Sequence, residues 1–175
     1  MFTNQARILV SVAFLLLGTF FIYQHTYELA AVAIMLTVYL VWGYFREGPI
    51  ILAAKHFHHK EYDKAEKLLK QVRNPGYLGR KRRGFYEFIL GGINLQKRDY
   101  DAAERHYEIA AQYPLRSVND HVAALVHVAN INIRNGNYDK AGAYLQLADN
   151  HKESITAKMK EVLNTLHKEL KKGPL

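Results

Sequence analysis

The sequence predicts an all-α protein: a transmembrane helical hairpin, then an α-solenoid of three helix-turn-helix repeats, then a capping helix. Two observations lead to this fold class. The first is a pair of apolar stretches without charged side chains near the N-terminus, and the second is a period of 38 residues that runs through most of the remaining chain. Self-similarity at a fixed period of this size is typical of stacked helical repeats.

Residues 1–47 form the predicted membrane anchor. The stretches 8–23 and 29–45 contain no Asp, Glu, Lys or Arg, and each approaches the roughly 17–25 apolar residues that a spanning helix needs. A signal peptide would have one shorter apolar core, whereas here a second apolar stretch follows after five residues. Two buried core helices would need a larger domain to cover them. We therefore expect two antiparallel spans joined by a tight turn.

Charge sets the expected orientation of this hairpin. Arg7 precedes the first stretch and Arg46 follows the second, whereas the turn between the stretches has no Lys or Arg and contains the acidic Glu28. Because Lys and Arg stay on the cytoplasmic side, we expect an integral protein of a bacterial inner or plasma membrane with both termini and the repeats in the cytoplasm. Neither stretch contains the charged residues that mark ion pathways. Small residues on both helices predict a close approach between them, and these residues are Ser11, Gly18, Ala30, Ala33 and Thr37.

The repeats are visible as three aligned segments 38 residues apart. They read EYDKAEKLL from Glu61, DYDAAERHY from Asp99 and NYDKAGAYL from Asn137. Large and small apolar residues upstream of each segment fall in the same register. The pattern resembles the tetratricopeptide repeat over about residues 48–150, a family whose unit is a helix-turn-helix of ~34 residues. The resemblance implies a stack of helical hairpins that binds peptides or partner helices on its concave face.

This resemblance sets the expected boundaries within a repeat domain of residues 48–175. Gly48-Pro49 is expected to end the second span, because proline suits a first helical position. The unit is four residues longer than the usual one, so we expect long loops between repeats. The predicted repeats are 48–79, 80–117 and 118–150, with a capping helix at 152–171. The predicted helix pairs are 49–59 with 61–73, 83–97 with 100–112, and 118–135 with 138–149.

A basic run falls in the loop predicted between the first two repeats. It consists of Arg80, Lys81, Arg82 and Arg83. Three interpretations stay open: a solvated charge run or topology signal, contact with an anionic membrane leaflet, or contact with nucleic acid. Neighbouring Tyr77, Phe85 and Tyr86 are weak evidence for base stacking, since the same rings also suit a helix core.

The resemblance also implies a set of partner-binding residues on the first helix of each pair. This concave face is mainly apolar, so we expect an apolar or amphipathic partner helix, including an exposed segment of a membrane protein. The alternative is that some of these residues pack within the domain. The candidate residues are Phe57, His58, Phe85, Phe88, Leu95, Gln96, Val126, Asn130, Ile133 and Arg134.

The sequence lacks recognisable catalytic motifs. It has no cysteine, no phosphate-binding loop and no dinucleotide fingerprint. His56, His58 and His59 are close in sequence, but no second cluster completes a metal site. We therefore expect no enzyme, no cofactor and no metal. The leading hypothesis is an adaptor or assembly factor at the cytoplasmic membrane face. The alternatives are an accessory subunit held through its hairpin and an electrostatic tether for nucleic acid or ribosomes.

Overall fold

The computed structural model describes residues 4–173, apart from the side chains of residues 4–8 and 44–47. The chain divides into two compact units, Met1–Leu52 and Ala53–Leu175. The described residues form eight α-helices and two short 3-10 turns, and the repeat region is a TPR-like helical solenoid. The helices are α1 (Asn4–Tyr23), α2 (Tyr27–His58), α3 (Tyr62–Lys70), α4 (Arg80–Gln96), α5 (Tyr100–Ala111), α6 (Val118–Arg134), α7 (Tyr138–Asp149) and α8 (Ala157–Lys172).

The first unit is a helical hairpin in which α1 is joined to α2 by a three-residue turn. His25 takes a left-handed conformation with φ of 60°, and the Thr26 amide donates to the Phe21 carbonyl at 3.0 Å. A Cβ built on Gly18 would lie 3.7 Å from the Ala33 Cβ, so glycine leaves room for the two helices to approach. Ala33 is buried, as the spacing of small residues predicts.

The outward faces of this hairpin are apolar. Leu16, Met35 and Tyr39 are 66%, 64% and 68% exposed. Of the described helices, α2 is long and apolar enough to cross a membrane by length and composition, while the apolar part of α1, Leu9–Tyr23, is shorter. Exposed apolar faces of this extent need a covering apolar environment.

The predicted break at Gly48-Pro49 is wrong, because α2 continues through Pro49 to His58. Proline inside a helix removes one backbone hydrogen bond and costs about 3 kcal/mol. Burial immediately after this position offsets that cost, since Ile50 and Ala53 are both fully buried. The predicted separate helix at 49–59 is therefore the C-terminal part of α2. The boundary between the two units falls at residues 52 and 53, inside this helix.

The second unit contains the repeats, and its helices pack in chain order. α3 packs on α4, α4 on α5, α5 on α6 and α6 on α7, while α8 contacts both α6 and α7. The aligned Ala65, Ala103 and Ala141 are fully buried at the helix crossings. Because an alanine side chain ends at Cβ, each crossing brings two helix backbones close together. The predicted repeat architecture is confirmed.

The last helix covers the end of the solenoid. Leu163 and Leu166 are buried in a cluster with Val122 and Leu145, against which Leu170 also packs. Val162 on the same helix is 37% exposed. The helix begins at Ala157 rather than at 152, because Thr156 caps it by accepting from the Met159 amide at 3.4 Å.

The basic run does not lie in a loop, because α4 begins at Arg80 and not at residue 83. The preceding loop contains a 3-10 turn at Pro75–Tyr77. Leu78 follows this turn and is buried, which anchors the end of the loop in the domain. The Gly79 carbonyl then accepts from the Arg82 and Arg83 amides at 2.8 and 2.9 Å. The four basic residues therefore form the first turn of α4.

Candidate partner-binding groove

A small groove lies where the first helices of the three repeats meet. Its walls come from the end of α2, from the N-terminal half of α4 and from the start of α6. The enclosed volume is about 40 Å³, enough for part of one apolar side chain. The lining residues are Ala54, Phe57, His58, Phe85, Phe88, Ile89, Arg116 and Asp120.

Contacts within the repeat domain hold the aromatic side chains of the groove in place. The Phe57 ring rests on Gly92, where an added Cβ would lie 2.5 Å from Cζ of that ring. The Phe88 ring meets Tyr107 edge-on, with 5.6 Å between centroids. Tyr107 in turn stacks on His127 at 4.5 Å. These rings are thus held in place before any partner arrives, which lowers the ordering cost of binding.

The rim of the groove carries a carboxylate. Arg116 Nε lies 3.4 Å from Asp120 Oδ2, an ion-pair distance without hydrogen-bond geometry. That oxygen is buried and accepts no hydrogen bond. The Ser117 hydroxyl caps α6 by accepting from the Asp120 amide at 3.1 Å, which fixes the backbone that presents this carboxylate. The groove therefore combines apolar walls with one unsatisfied acceptor.

The structure brings together four of the ten predicted partner-binding residues. Phe57, His58, Phe85 and Phe88 line the groove. The sequence analysis did not select Ile89, Arg116 or Asp120. The Ser117-x-x-Asp120 pattern is a helix N-terminal signature that would have placed the last two at the start of α6.

The other six predicted residues lie elsewhere. Val126 is buried in the core with Leu145, and Ile133 packs against the same cluster. Leu95 packs against the neighbouring cluster around Tyr107. Gln96 lines a separate open cleft of about 330 Å³ with the turn at residues 60–64. Asn130 is half-buried and Arg134 is exposed, both on α6.

Arg83 does not belong to a surface patch. Its guanidinium Nη2 lies 2.7 Å from Oε1 of the buried Glu87, and His106 Nδ1 lies 2.6 Å from the other Glu87 oxygen. This charge cluster ties α4 to α5. The aromatic residues next to the basic run differ in exposure: Tyr86 is buried, whereas Tyr77 is 76% exposed.

A second polar network joins successive repeats. Lys140 Nζ lies 2.5 Å from Glu104 and 2.8 Å from Glu108, and the buried Asn132 amide donates to Glu104 at 2.8 Å. Burial alone would raise the pKa of Glu104, but the hydrogen bonds from Lys140 and Asn132 outweigh it and lower that pKa. The network aligns α5, α6 and α7, and it touches no residue of the groove.

His56 and His127 take structural positions in this fold. His56 pairs with Glu61, whose pKa falls to about 2 through its hydrogen bonds with Lys64 and His56. Burial lowers the pKa of His127 to about 4. Within residues 4–173, as far as the structure describes them, no three His, Cys, Asp or Glu side chains group as metal ligands.

Comparison with known proteins gives one match. No curated protein and no solved structure matches the chain significantly. The family model of the SusR N-terminal TPR domain matches residues 46–164, which covers the three repeats and the first half of α8. TPR domains are protein-interaction scaffolds, and the groove lies on the first helices of the repeats. The chain belongs to the SusR N-terminal TPR domain family.

Proposed function

We propose that this protein is a non-enzymatic, membrane-anchored adaptor or assembly factor that holds a protein partner at the cytoplasmic face of a membrane. The observation that supports this best is the preformed groove lined by Phe57, Phe85 and Phe88. Aromatic side chains held at a small apolar cavity are typical anchors of protein interfaces.

The groove also defines the chemistry of the partner. Its volume of about 40 Å³ suits part of one inserted apolar side chain, and the Asp120 carboxylate at the rim favours a basic group beside it. An amphipathic helix offers both features when an apolar residue and a Lys or Arg lie three or four positions apart. An exposed segment of a membrane protein with this pattern is the partner class that we propose.

The anchor is the first unit of the chain. Gly18 and Ala33 pack the hairpin tightly, while large apolar side chains such as Leu16 and Met35 face outward. A helix pair whose backbone hydrogen bonds are satisfied internally and whose outer faces are apolar is compatible with the interior of a bilayer. Arg7 and Arg46 flank the proposed spans, and under the positive-inside rule this charge distribution favours a cytoplasmic position for the repeats.

Site-specific photo-crosslinking in intact membranes tests the groove. Photoreactive residues at His58 and Phe85 should capture one and the same protein, whereas the same group at the exposed Asp101 on α5 should not. Ala54→Leu fills the cavity from its wall without adding charge, so it should abolish this capture. Ala143→Leu on the exposed face of α7 is the matched control and should leave the capture intact. Capture that persists in the Ala54→Leu variant would exclude the groove as the binding site.

The alternative is an accessory subunit held by its hairpin. The apolar outer faces of α1 and α2 favour this reading, because another membrane protein could cover them as well as lipid. Replacing the hairpin by an unrelated one of equal length separates the two. An adaptor keeps its crosslinks from His58 and Phe85 after the exchange, whereas an accessory subunit dissociates from its complex.

A further inference from the structure

The segment between the first two repeats and the start of α4 carry exposed positive charge. Arg73, Arg80 and Lys81 are exposed, and none of the three pairs with a carboxylate among the residues that the structure describes. Residues 71–86 contain no Asp or Glu. At the opposite end of the same repeats, two lysines are neutralised: Lys64 pairs with Glu61 at 2.7 Å and Lys97 with Glu66 at 2.6 Å.

Helix stability does not account for these charges. The first turn of α4 has no acidic residue, and Gly79 provides no side-chain cap. The first turns of α3, α5, α6 and α7 all contain an aspartate. Cations at a helix N-terminus are unfavourable by a few tenths to about one kcal/mol each. The basic residues thus weaken the helix that carries them, and an external anion would relieve this.

Tyr77 adds an exposed aromatic ring to the same surface. It ends the 3-10 turn Pro75–Tyr77, which is fixed because Asn74 Oδ1 accepts from the Gly76 amide at 3.0 Å. The next residue, Leu78, is buried and holds the turn against the domain. The Tyr77 ring is therefore exposed, within four residues of Arg73, Arg80 and Lys81 in the chain. A tyrosine ring next to Lys and Arg is the combination found at the interface between a membrane and water.

The burial of the other two aromatic residues decides between lipid and nucleic acid. Single-stranded nucleic acids bind through successive bases stacked on several rings. Of the three candidates, Phe85 lines the groove and Tyr86 is buried, which leaves Tyr77 as the one exposed ring. One ring amid several cations fits the headgroup region of a bilayer better than a stacking platform.

We propose that Tyr77, together with Arg73, Arg80 and Lys81, contacts anionic phospholipid headgroups of the membrane that holds the hairpin. The contact rests on the anchor described under the proposed function. Chain direction supports it: α2 and α3 form a helical hairpin, so the segment 71–79 returns to the end of the repeat domain at which the chain enters from α2. The contact would restrict the motion of the repeat domain against the leaflet.

The strength of this contact follows from its charges. Each basic residue near an anionic surface strengthens the association roughly fivefold. Neutralising three of them should therefore weaken it by about a hundredfold. Salt should also weaken it, because the attraction is screened within a Debye length, ~8 Å at physiological ionic strength.

The test uses the full chain in lipid nanodiscs with a photoreactive benzoylphenylalanine in place of Tyr77. One set of nanodiscs contains phosphatidylcholine alone, and the other contains phosphatidylserine as well. We expect phospholipid adducts, seen by mass spectrometry, that are several-fold more abundant with phosphatidylserine and decline with salt. The same photoreactive group at the exposed Asn135, in the turn within the third repeat, should give none.

Charge variants distinguish electrostatic attraction from a structural effect. The triple variant Arg73→Gln, Arg80→Gln, Lys81→Gln should lose the adducts, whereas Arg73→Lys with Arg80→Lys should keep them. Equal lipid adducts at 77 and 135, or no dependence on phosphatidylserine, would overturn the proposal while the anchor stands. Failure of the chain to enter nanodiscs would overturn the anchor and the lipid contact together. Adducts to added RNA in preference to lipid would overturn it in favour of a nucleic-acid tether.

Discussion

At the scale of single residues, Gly92 determines where the Phe57 ring can lie. A Cβ at this position would come within 2.5 Å and 2.8 Å of two ring carbons, closer than any van der Waals contact allows. We expect Gly92→Ala to displace the ring, to destabilise the fold by about 1–3 kcal/mol and to weaken partner capture from Phe85. Thermal unfolding in detergent, followed by circular dichroism, measures the first effect.

Gly142 provides a matched control, for which substitution by alanine should raise the stability rather than lower it. It also lies inside a helix, but an added Cβ would meet only Leu170 Cδ2, at an ordinary 3.6 Å. Gly142→Ala should therefore stabilise the chain by roughly 0.5–1 kcal/mol, because alanine loses less backbone entropy than glycine in a helix. Equal effects of the two substitutions would show that contact with Phe57 does not limit position 92.

Glu87 is the second residue whose role rests on its surroundings. It is 2% exposed and pairs with Arg83 at 2.7 Å and His106 at 2.6 Å. Arg83 Nε is already buried without a hydrogen bond, so removing the carboxylate leaves its charge poorly compensated. We expect Glu87→Gln to lower the free energy of unfolding by about 3 kcal/mol.

The control for Glu87 is Glu153, an exposed glutamate in the turn before α8. Glu153→Gln should change the unfolding temperature little, because exposed charges contribute little to stability. A Glu87→Gln variant as stable as Glu153→Gln would mean that the α4–α5 cluster does not contribute to the fold.

The sequence indicated the small residues at helix crossings but not these polar pairs. Ala65, Ala103 and Ala141 share a repeat position, and all three are fully buried, because a solenoid imposes the same crossing on every unit. Glu87 and His106 have no counterparts at a common repeat position, and they lie on different helices. Their pairing depends on the rotation of α4 against α5, which a periodic pattern does not specify.

At the scale of elements, the α5–α6 contact depends on pH through His127. Its ring stacks on Tyr107 at 4.5 Å, and burial lowers its pKa to about 4, against an ordinary 6.5. The unfolded chain therefore binds a proton at higher pH than the folded chain. Stability contributed by the neutral ring is present above pH 6.5 and is lost as the pH falls towards 4, by about 3 kcal/mol in all.

His127→Phe isolates this effect, because phenylalanine keeps the stacked ring without a titrating nitrogen. Between pH 6.5 and 4 the variant should lose less stability than the unmodified chain. The difference should level off below pH 4. His59→Gln at an exposed position is the control and should keep the slope of the unmodified chain. Urea titrations at a series of pH values measure the difference, and parallel curves for all three chains would exclude His127 as its source.

Helix boundaries show where local sequence signals decide and where packing overrides them. The bounds of α7 agree with the prediction because the aligned Asn137-Tyr138-Asp139 marks its start. At Pro49 the local signal predicts a helix end, but burial around Ile50 keeps α2 continuous. α4 begins at Arg80, three residues earlier than the apolar pattern predicts, because the buried Leu78 fixes the chain just before it. The groove is likewise predicted only in part. Arg116 and Asp120 line it, and they come from the segment at the start of α6, which depends on how the helices pack.

At the scale of the whole molecule, the proposed hairpin fixes the side of the membrane on which each segment lies. The chain has no cysteine, so a single introduced cysteine is a unique label site. His25 in the turn between α1 and α2 and Asn135 in the turn between α6 and α7 are both exposed. We expect a membrane-impermeant maleimide to label His25→Cys in intact cells and to label Asn135→Cys only after permeabilisation. The cysteine-free chain should take up no label in either condition.

The reverse labelling pattern would keep the two spans but move the repeats, the groove and the basic first turn of α4 to the outer side. Partner capture would then depend on exported proteins, and the lipid contact at Tyr77 would need anionic lipid in the outer leaflet. Labelling of both positions in intact cells would instead rule out a spanning hairpin. In that case the apolar faces of α1 and α2 would need a protein to cover them, because side chains as exposed as Leu16 and Met35 do not remain bare in water.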